Sequence, residues 1–444
     1  MTRAPLTIAR GMGAGPGLDS SPLPLPITRP ITDVPEVYRE RVAPDRPARA
    51  KLVGASDASE EAVERALEWL AHHQDADGRW NAGTKKYRAD DAPLAGEHNF
   101  TQHCPPGDIC AGECYYYEAD TAMTGLALLA YLGAGYHHAQ KDGKHAAVVD
   151  KGLRYLLSVQ TANGDLRGES RAVGMYCHAM ATLAVCEAFA LSGDARLRGP
   201  AERAVAFLAK SRSADGMSWR YKPGEPSGDT SLLGWAILVF KSADETGLAV
   251  PPSMRAGALS WLNLVATGES RGLAAYRPNE GPYGNTTNFV AGRNMTPTMT
   301  AEAWVCRQFL GVGGPGAASD EAARYLLENA PGRGKLNLYY WYYGTLAMRQ
   351  RGGDDWARWN PLARDELVTL QKTSGHASGS WDPADSRGPN GYDARGGRIY
   401  CTALAAMTLE VYYRYGKIEG ATPTRMAPKP DATLRRTEAR KAKP

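Results

Sequence analysis

Two aspartates open apolar segments of the sequence and could serve as acids. Asp120 begins an Asp-Thr-Ala run and Asp229 begins an Asp-Thr-Ser run, and in both a glycine stands five positions after the aspartate. A carboxylic acid donates a proton well when its neighbours hold its geometry and stabilise its conjugate base. Glu118 lies close to Asp120 and could assist it. We therefore predict Asp120, Asp229 and Glu118 as catalytic acids, with helix capping as the alternative role for both aspartates.

Aromatic side chains cluster near the first of these acids and in one later segment. The chain has 22 tyrosines and 10 tryptophans but only 6 phenylalanines. Five consecutive aromatics occupy 339–343, and three tyrosines occupy 115–117. Such side chains can stabilise a cation through cation–π attraction, or they can simply pack in a core. The residues predicted to contact a ligand are Tyr117, Tyr176, His178, Trp235, Tyr340, Trp341 and Tyr400.

The segment 81–117 concentrates residues that can bind metals. It contains His98, His103, Cys104, Cys110 and Cys114. Their Cys-x5-Cys-x3-Cys spacing matches no standard zinc site, so the sequence predicts neither a metal nor a cofactor. The length of this connection instead favours a functional lid.

Two alternating kinds of helix must position these residues. The first kind is amphipathic, with Val63, Ala66, Leu67 and Leu70 forming one apolar stripe. These outer helices are predicted over 58–73, 147–160, 198–211, 253–265, 318–329 and 359–371. The second kind is apolar nearly all round and therefore buried on every side. These inner helices are predicted over 120–134, 171–192, 229–244, 298–311, 338–350 and 399–415. Strict alternation indicates one array of six helix pairs, and the lack of a distinct capping repeat favours a closed ring.

A recurring turn follows several outer helices. Gln74, Gly78 and Trp80 define a Gln-x-x-x-Gly-x-Trp pattern. Variants of the pattern occur at 160–166, 215–219 and 371–381. Glycine permits a positive φ at a helix end, glutamine can bind unpaired backbone groups, and tryptophan buries a large surface. The pattern resembles the QW motif of squalene–hopene and oxidosqualene cyclases. The Tyr-Cys-Thr-Ala-Leu-Ala run at 400–405 is similar to the prenyltransferase and squalene oxidase repeat, which protein prenyltransferase β subunits share.

This resemblance implies an all-α fold, a single α6–α6 toroid whose inner helices surround a central funnel. It also implies particular catalytic residues, and the chain has only some of them. Squalene–hopene-type cyclases use an Asp-x-Asp-Asp-Thr-Ala segment, of which 117–122 keeps only the last three residues. Those cyclases also have two toroidal domains, whereas this chain has helices for one. Zinc-dependent prenyltransferases need an Asp-x-Cys pair where 336–339 reads Leu-Asn-Leu-Tyr, so transfer of that kind is not expected.

Composition and charge exclude further classes of protein. The 444 residues carry a net charge of +4, and no uninterrupted apolar run approaches the roughly 18 residues of a membrane span. The excess of Lys and Arg lies in a Pro-rich arm, 1–50, and a basic tail, 417–444, which leaves the toroid at 51–416 slightly acidic. We therefore expect no nucleic acid to bind the core. The first residues lack a secretory signal pattern, so a cytoplasmic protein is expected.

The expected function is binding of an isoprenoid-like or other apolar small molecule in the aromatic funnel. Protonation-initiated terpenoid cyclisation would be the reaction if the protein is an enzyme. Two alternatives stay open: a non-catalytic scaffold for an unknown protein partner, and a glycan-processing α6–α6 enzyme. The second alternative requires two carboxylates facing each other across the funnel. Peripheral contact with a membrane is also left open.

Overall fold

The computed structural model describes residues 33–83, 100–116, 118–278, 295–333, 336–383 and 392–416. Most of them lie in helices. The outer helices are α3 (Asp57–His72), α5 (Ala146–Val159), α7 (Ala195–Lys210), α9 (Pro252–Leu264), α11 (Ala317–Glu328) and α13 (Gly353–Leu370). The inner helices are α4 (Asp120–Gly133), α6 (Gly174–Ser192), α8 (Thr230–Glu245), α10 (Pro297–Phe309), α12 (Leu338–Arg351) and α14 (Tyr392–Leu409). The other elements are α1 (Arg39–Val42), α2 (Arg46–Leu52), α15 (Val411–Arg414), 3-10 turns at Glu36–Tyr38 and Phe100–His103, and the antiparallel strands β1 (Ala266–Thr267) and β2 (Leu273–Ala274).

The inner helices form a closed ring. Each packs against the next inner helix along the chain, and α14 packs against α4, so the series has no free end. The last outer helix also meets the first, because α13 contacts α3. The fold is therefore an all-α toroid, and each of the twelve predicted helices is present. The last inner helix begins earlier than expected, because a helical stretch precedes a kink at Gly397, where φ is 80°.

Small residues let the inner helices approach one another. A side chain at Gly125 of α4 would meet the backbone of α6, with its Cβ 2.8 Å from the Ala181 nitrogen. Gly234 of α8 lies against the side chain of Glu302 of α10. These contacts account for the glycine that follows each of the two aspartates. By length and composition α6 would suit a membrane span, but 94% of its most apolar window is buried inside the ring. An inner helix that is buried on every side has the same composition as a span.

The recurring turn binds each outer helix to its neighbours. Its tryptophan donates the indole N–H to a carbonyl near the end of the preceding outer helix. These bonds join Trp80 to Leu70 at 2.8 Å, Trp219 to Leu208 at 2.7 Å and Trp381 to Leu367 at 2.8 Å. Gln371 donates to the carbonyls of Ala62 on α3 and of Gly379, and so ties the last hairpin to the first. A side chain at Gly379, where φ is 93°, would collide with the Arg65 carbonyl.

The N-terminal segment 33–52 covers one end of the ring, where the inner helices have their C-termini. Arg41 of this segment is buried and donates from Nη1 to Glu187 Oε2 at 2.6 Å. Arg414 lies 3.6 Å from the same carboxylate and 2.9 Å from Glu410. These four ionisable side chains form a buried network beneath the segment. The sequence predicts an extended arm over 1–50, whereas residues 36–52 are largely helical because their buried side chains find partners on the ring.

Candidate functional site

A cavity of about 120 Å³ lies at the opposite end of the ring, where the inner helices have their N-termini. Six tyrosines line it: Tyr116, Tyr176, Tyr221, Tyr276, Tyr339 and Tyr400. Apolar side chains complete much of the wall, among them Ala122, Met123, Val173 and Met180. Ser231 and the exposed Arg395 add polar groups. The wall therefore consists mainly of aromatic rings and apolar side chains, with hydroxyl groups at its edges.

Two of these tyrosines connect the cavity to Asp229. Tyr276 donates its hydroxyl hydrogen to Asp229 Oδ2 at 2.9 Å, and the hydroxyl oxygens of Tyr221 and Tyr276 lie 2.8 Å apart. Asp229 also caps α8, because its Oδ1 accepts the Leu232 N–H at 2.8 Å. Burial raises the pKa of Asp229 to about 6, although both hydrogen bonds oppose the rise. Asp229 is fully buried and does not line the cavity, and among the described residues Tyr276 links it to the wall.

A second buried acid lies behind another tyrosine of the wall. Glu302 of α10 accepts the Tyr339 hydroxyl at 2.7 Å and has no solvent exposure. Burial raises the pKa of Glu302 well above its ordinary value, and the nearby Asp229 adds to the rise. Burial therefore favours the protonated, neutral form of Glu302. Glu302 is not among the acids predicted from the sequence, although an acidic residue within an otherwise apolar helix is a signal.

The other two predicted acids stand away from the cavity. Asp120 accepts the Ala82 N–H at 2.8 Å and pairs with Arg79 at 3.1 Å, which anchors the turn ahead of α4. It is the first residue of α4, and its side chain does not cap the helix. Glu118 accepts the Arg171 N–H at 3.0 Å. Of the three predicted acids, Asp229 is thus the one linked to the cavity wall.

Two of the predicted ligand-contacting residues, Tyr176 and Tyr400, lie on the wall. Trp235 and Trp341 are buried and do not line the cavity. Trp235 instead stacks on Tyr342 inside the ring, with 6.3 Å between ring centroids and 15° between planes. Tyr340 points the other way and packs on Trp359 of an outer helix. When a helix is apolar on every side, its sequence does not indicate which face turns inward. The predicted ligand-contacting residues therefore lie on several different faces.

His178 joins two segments of the fold away from the cavity. Its Nδ1 accepts the Leu166 N–H at 3.1 Å, and its Nε2 lies 3.1 Å from the Ala204 carbonyl. Burial lowers the pKa of His178 to about 4, so the ring is neutral and donates from Nε2 to that carbonyl. The remaining predicted residue, Tyr117, lies outside the described residues.

The cysteine-rich segment brings a second group of reactive side chains together. Cys104 and Cys110 lie beside His73, which follows α3, and His376, in the turn after α13. One donor atom from each of the four lies within 4.8 Å of the other three. The two histidines come from outside 81–117, so the spacing within that segment could not reveal the group.

The other candidates of that segment have separate places. Cys114 lines the cavity together with Tyr116, so part of the predicted lid segment does contribute to the wall. His103 lies 2.7 Å from an oxygen of Asp75. His98 lies outside the described residues.

Solved structures of α/α toroid proteins resemble this chain. The α-1,6-mannanase of Salegentibacter sp. HEL1_6 matches with a TM-score of 0.52 and 13% identity, over 80% of this chain and 99% of its own. Cellobiose 2-epimerase from Bacillus thermoamylovorans matches with a TM-score of 0.52 and 11% identity, over 79% of this chain and 98% of its own. A type II terpene cyclase from Scytonema shares 12% identity over 80% of this chain and 97% of its own, with a TM-score of 0.44. Neither a family model nor a curated protein matches the sequence.

These likenesses show the toroid fold and nothing finer. The mannanase and the epimerase are glycan-processing enzymes by name, and both have TM-scores above 0.5. The terpene cyclase falls below that value and carries no weight. The fold is therefore at least as compatible with the glycan-processing alternative as with the terpenoid interpretation.

Proposed function

We propose that this protein recognises one sugar ring of a glycan in the tyrosine-lined cavity. The observation that carries this assignment is the wall itself, in which six tyrosines combine flat ring faces with hydroxyl groups. A pyranose has apolar C–H faces that pack on aromatic rings and hydroxyl groups that need hydrogen-bond partners. Tyrosine supplies both kinds of contact from one side chain.

The size of the cavity excludes a ligand larger than a single ring from its interior. An apolar cavity of about 150 Å³ holds one benzene molecule, and this cavity measures about 120 Å³. The interior of the ring beyond it is filled, since Trp235, Tyr342 and Tyr343 pack against one another there. A long isoprenoid chain would need a continuous apolar tunnel, whereas a glycan can place one residue inside and extend past Arg395 into solvent.

The toroid fold and the carboxyl groups behind the cavity wall support this proposal. The toroid fold is shared with a mannanase and a cellobiose epimerase, so sugar sites occur on this scaffold. Tyr276 and Tyr339 both donate their hydroxyl hydrogens to buried carboxyl groups. With its hydrogen engaged, the Tyr339 oxygen can only accept from a ligand, which suits the hydroxyl hydrogens of a sugar, whereas the Tyr276 oxygen already accepts the Tyr221 hydroxyl.

Hydrolysis of a glycan would require carboxyl groups on the cavity wall. Two carboxyl groups must flank the scissile bond, about 5–10 Å apart. Among the described residues, no carboxylate lines the cavity, and Asp229 and Glu302 each stand behind a tyrosine. Any proton exchanged between Asp229 and a ligand would pass through the Tyr276 hydroxyl. Recognition of the sugar is therefore the function that the described geometry supports.

A small apolar ligand is the second candidate. The observation that favours it is the α4 and α6 side of the cavity, where Ala122, Met123, Val173 and Met180 offer no hydrogen-bonding groups. A ligand of this kind would be the size of one isoprenoid unit or one aromatic ring. It would bind through burial of apolar surface alone.

Saturation-transfer NMR on the full chain would test both candidates. The probes are mannose, glucose, cellobiose and α-1,6-mannobiose, with prenol as the apolar ligand. We expect a sugar to receive saturation in wild type and to lose affinity at least tenfold in Tyr276→Phe. Tyr325→Phe, on α11 and away from the cavity, serves as the matched control and should bind like wild type. Binding of prenol without any sugar would favour the second candidate, and binding of neither would overturn both.

A further inference from the structure

The group formed by His73, Cys104, Cys110 and His376 has the geometry of a metal site. Their donor atoms all lie within 4.8 Å of one another. Cys104 Sγ is 3.7 Å from His73 Nε2, and Cys110 Sγ is 3.4 Å from His376 Nδ1. A tetrahedral zinc ion, with Zn–S bonds of about 2.3 Å and Zn–N bonds of about 2.0–2.1 Å, holds its ligand atoms about 3.3–3.8 Å apart. The measured separations match that spacing.

The surroundings of the group orient its ligands. His73 Nδ1 lies 2.7 Å from the Trp69 carbonyl, so this nitrogen donates its hydrogen and Nε2 keeps its lone pair. The Trp69 ring stacks on the imidazole, with 4.0 Å between centroids. On the other side, the Asp108 carboxylate accepts the backbone N–H of His376 at 2.6 Å and fixes the turn that carries this histidine. Metal-binding histidines typically have a partner on the ring nitrogen that does not touch the ion, as His73 has in the Trp69 carbonyl.

We propose that His73, Cys104, Cys110 and His376 bind one zinc ion. Two thiolates and two imidazoles in a tetrahedral arrangement select zinc among the common divalent metals. All four positions are filled by protein, and two of the four residues are buried, so the site is closed and structural. It lies apart from the sugar cavity, and neither proposal depends on the other.

The zinc ion would join parts of the fold that meet where the toroid closes. His73 follows the first outer helix, α3, and His376 follows the last one, α13. The two cysteines come from 100–116, the segment that also supplies Cys114 and Tyr116 to the cavity wall. One ion therefore holds the first hairpin, the last hairpin and one side of the cavity together.

Metal analysis of the full chain, purified without chelators or a polyhistidine tag, would test this assignment. We expect one zinc per chain by plasma mass spectrometry, and less than a tenth of that in Cys110→Ser and in His376→Ala. Cys114→Ser, in the same segment, and His103→Ala, beside the group, are matched controls that should keep one zinc. Replacement of zinc by Co²⁺ should give the visible bands of tetrahedral cobalt with thiolate-to-metal charge transfer.

A second measurement uses only the wild-type protein, so it does not depend on whether the variants fold. In the wild-type protein, alkylation mapped by mass spectrometry should show Cys104 and Cys110 protected with zinc and modified after chelation. Absence of zinc from the wild type, even after addition of the metal, would overturn the assignment. Retention of zinc by Cys110→Ser and His376→Ala would overturn it as well, as would a disulfide between Cys104 and Cys110.

Discussion

Arg41 and Glu187 form a salt bridge between positions 146 residues apart, with 2.6 Å between Nη1 and Oε2 and no solvent exposure of either side chain. Arg414 lies 3.6 Å from the same carboxylate, and Tyr415 donates its hydroxyl hydrogen to Oε1 at 3.0 Å. Burial alone would raise the pKa of Glu187, but the two guanidinium groups hold it below its ordinary value. The guanidinium groups therefore favour the ionised form of Glu187, whereas burial favours the neutral form of the equally buried Glu302.

Glutamine substitution should lower stability by different amounts at these two glutamates, because their charge states differ. Glu187→Gln leaves the buried Arg41 without its anion and Arg414 with Glu410 as its remaining acidic partner, and we expect it to lower the free energy of unfolding by about 3–5 kcal/mol. Glu302→Gln replaces a neutral acid by a neutral amide that still accepts the Tyr339 hydroxyl, so its cost should stay within about 1.5 kcal/mol. Urea denaturation followed by far-UV circular dichroism measures both. Equal losses would contradict the assigned charge states.

Alanine substitution should show which glycines are required by close packing. Gly379 and Gly247 both have positive φ, at 93° and 70°, but a side chain would collide with the Arg65 carbonyl only at Gly379. Gly247→Ala should therefore cost only the backbone strain of about 1–2 kcal/mol. Gly379→Ala should cost clearly more, because α3 and the last turn must also move apart. Parallel thermal melts test this, and equal shifts in Tm would show that packing at Gly379 is looser than described.

The helices and their turns could be predicted because both depend on local sequence. A period of 3.6 residues marks an outer helix, and apolar residues on every side mark an inner one. Gln371, Gly379 and Trp381 have the roles that their chemistry predicts, since a turn needs a positive φ and partners for carbonyls at a helix end. The alternation of these two kinds of helix along the chain then indicates a stacked array of helix pairs.

Asp393 should make stability depend on pH. Its Oδ2 accepts the Leu338 N–H at 2.9 Å, and burial raises its pKa to about 6. The folded state therefore holds this proton more tightly than the unfolded chain, for which the pKa is about 3.9. The resulting penalty is absent below pH 4, grows as the pH rises to 6 and is complete above it, where it amounts to about 3 kcal/mol.

Asp393→Asn removes this titration and keeps an oxygen for the Leu338 N–H. Relative to wild type, the variant should therefore gain about 3 kcal/mol of unfolding free energy between pH 4 and pH 7. Denaturant titrations of both proteins at several pH values provide the measurement. A difference that stays constant across this range would show that the carboxyl group is ionised throughout.

Filling the cavity should abolish ligand binding without removing the metal. Met180 lies on the wall, and Met180→Trp places a larger side chain in a space of about 120 Å³. We expect at least a tenfold loss of affinity for the sugar that wild type binds, whereas the zinc content should remain one per chain. Saturation-transfer NMR and metal analysis on the same preparation give both values. Unchanged sugar binding would place the ligand elsewhere.

The candidate site could be predicted only in part, because it depends on contacts between distant segments. Tyr276 follows β2 and Tyr221 follows the turn after α7, and no periodic pattern indicates that they meet. His73 and His376 are about 300 positions apart, so neither their spacing nor a motif connects them. Asp229 was identified from its place at the start of an inner helix, but the sequence did not show that Tyr276 lies over it.

The segment that covers the C-terminal ends of the inner helices has a consequence for biosynthesis. Residues 33–52 leave the ribosome before any hairpin of the ring, yet Arg41 binds Glu187 and the Arg414 carbonyl, 146 and 373 residues later. Contacts of such long sequence separation form slowly. A truncated chain that lacks α15 would leave Tyr38 and Arg41 without their final partners, and would expose them to chaperones and proteases. Docking of this segment thus reports that translation has reached the last helix.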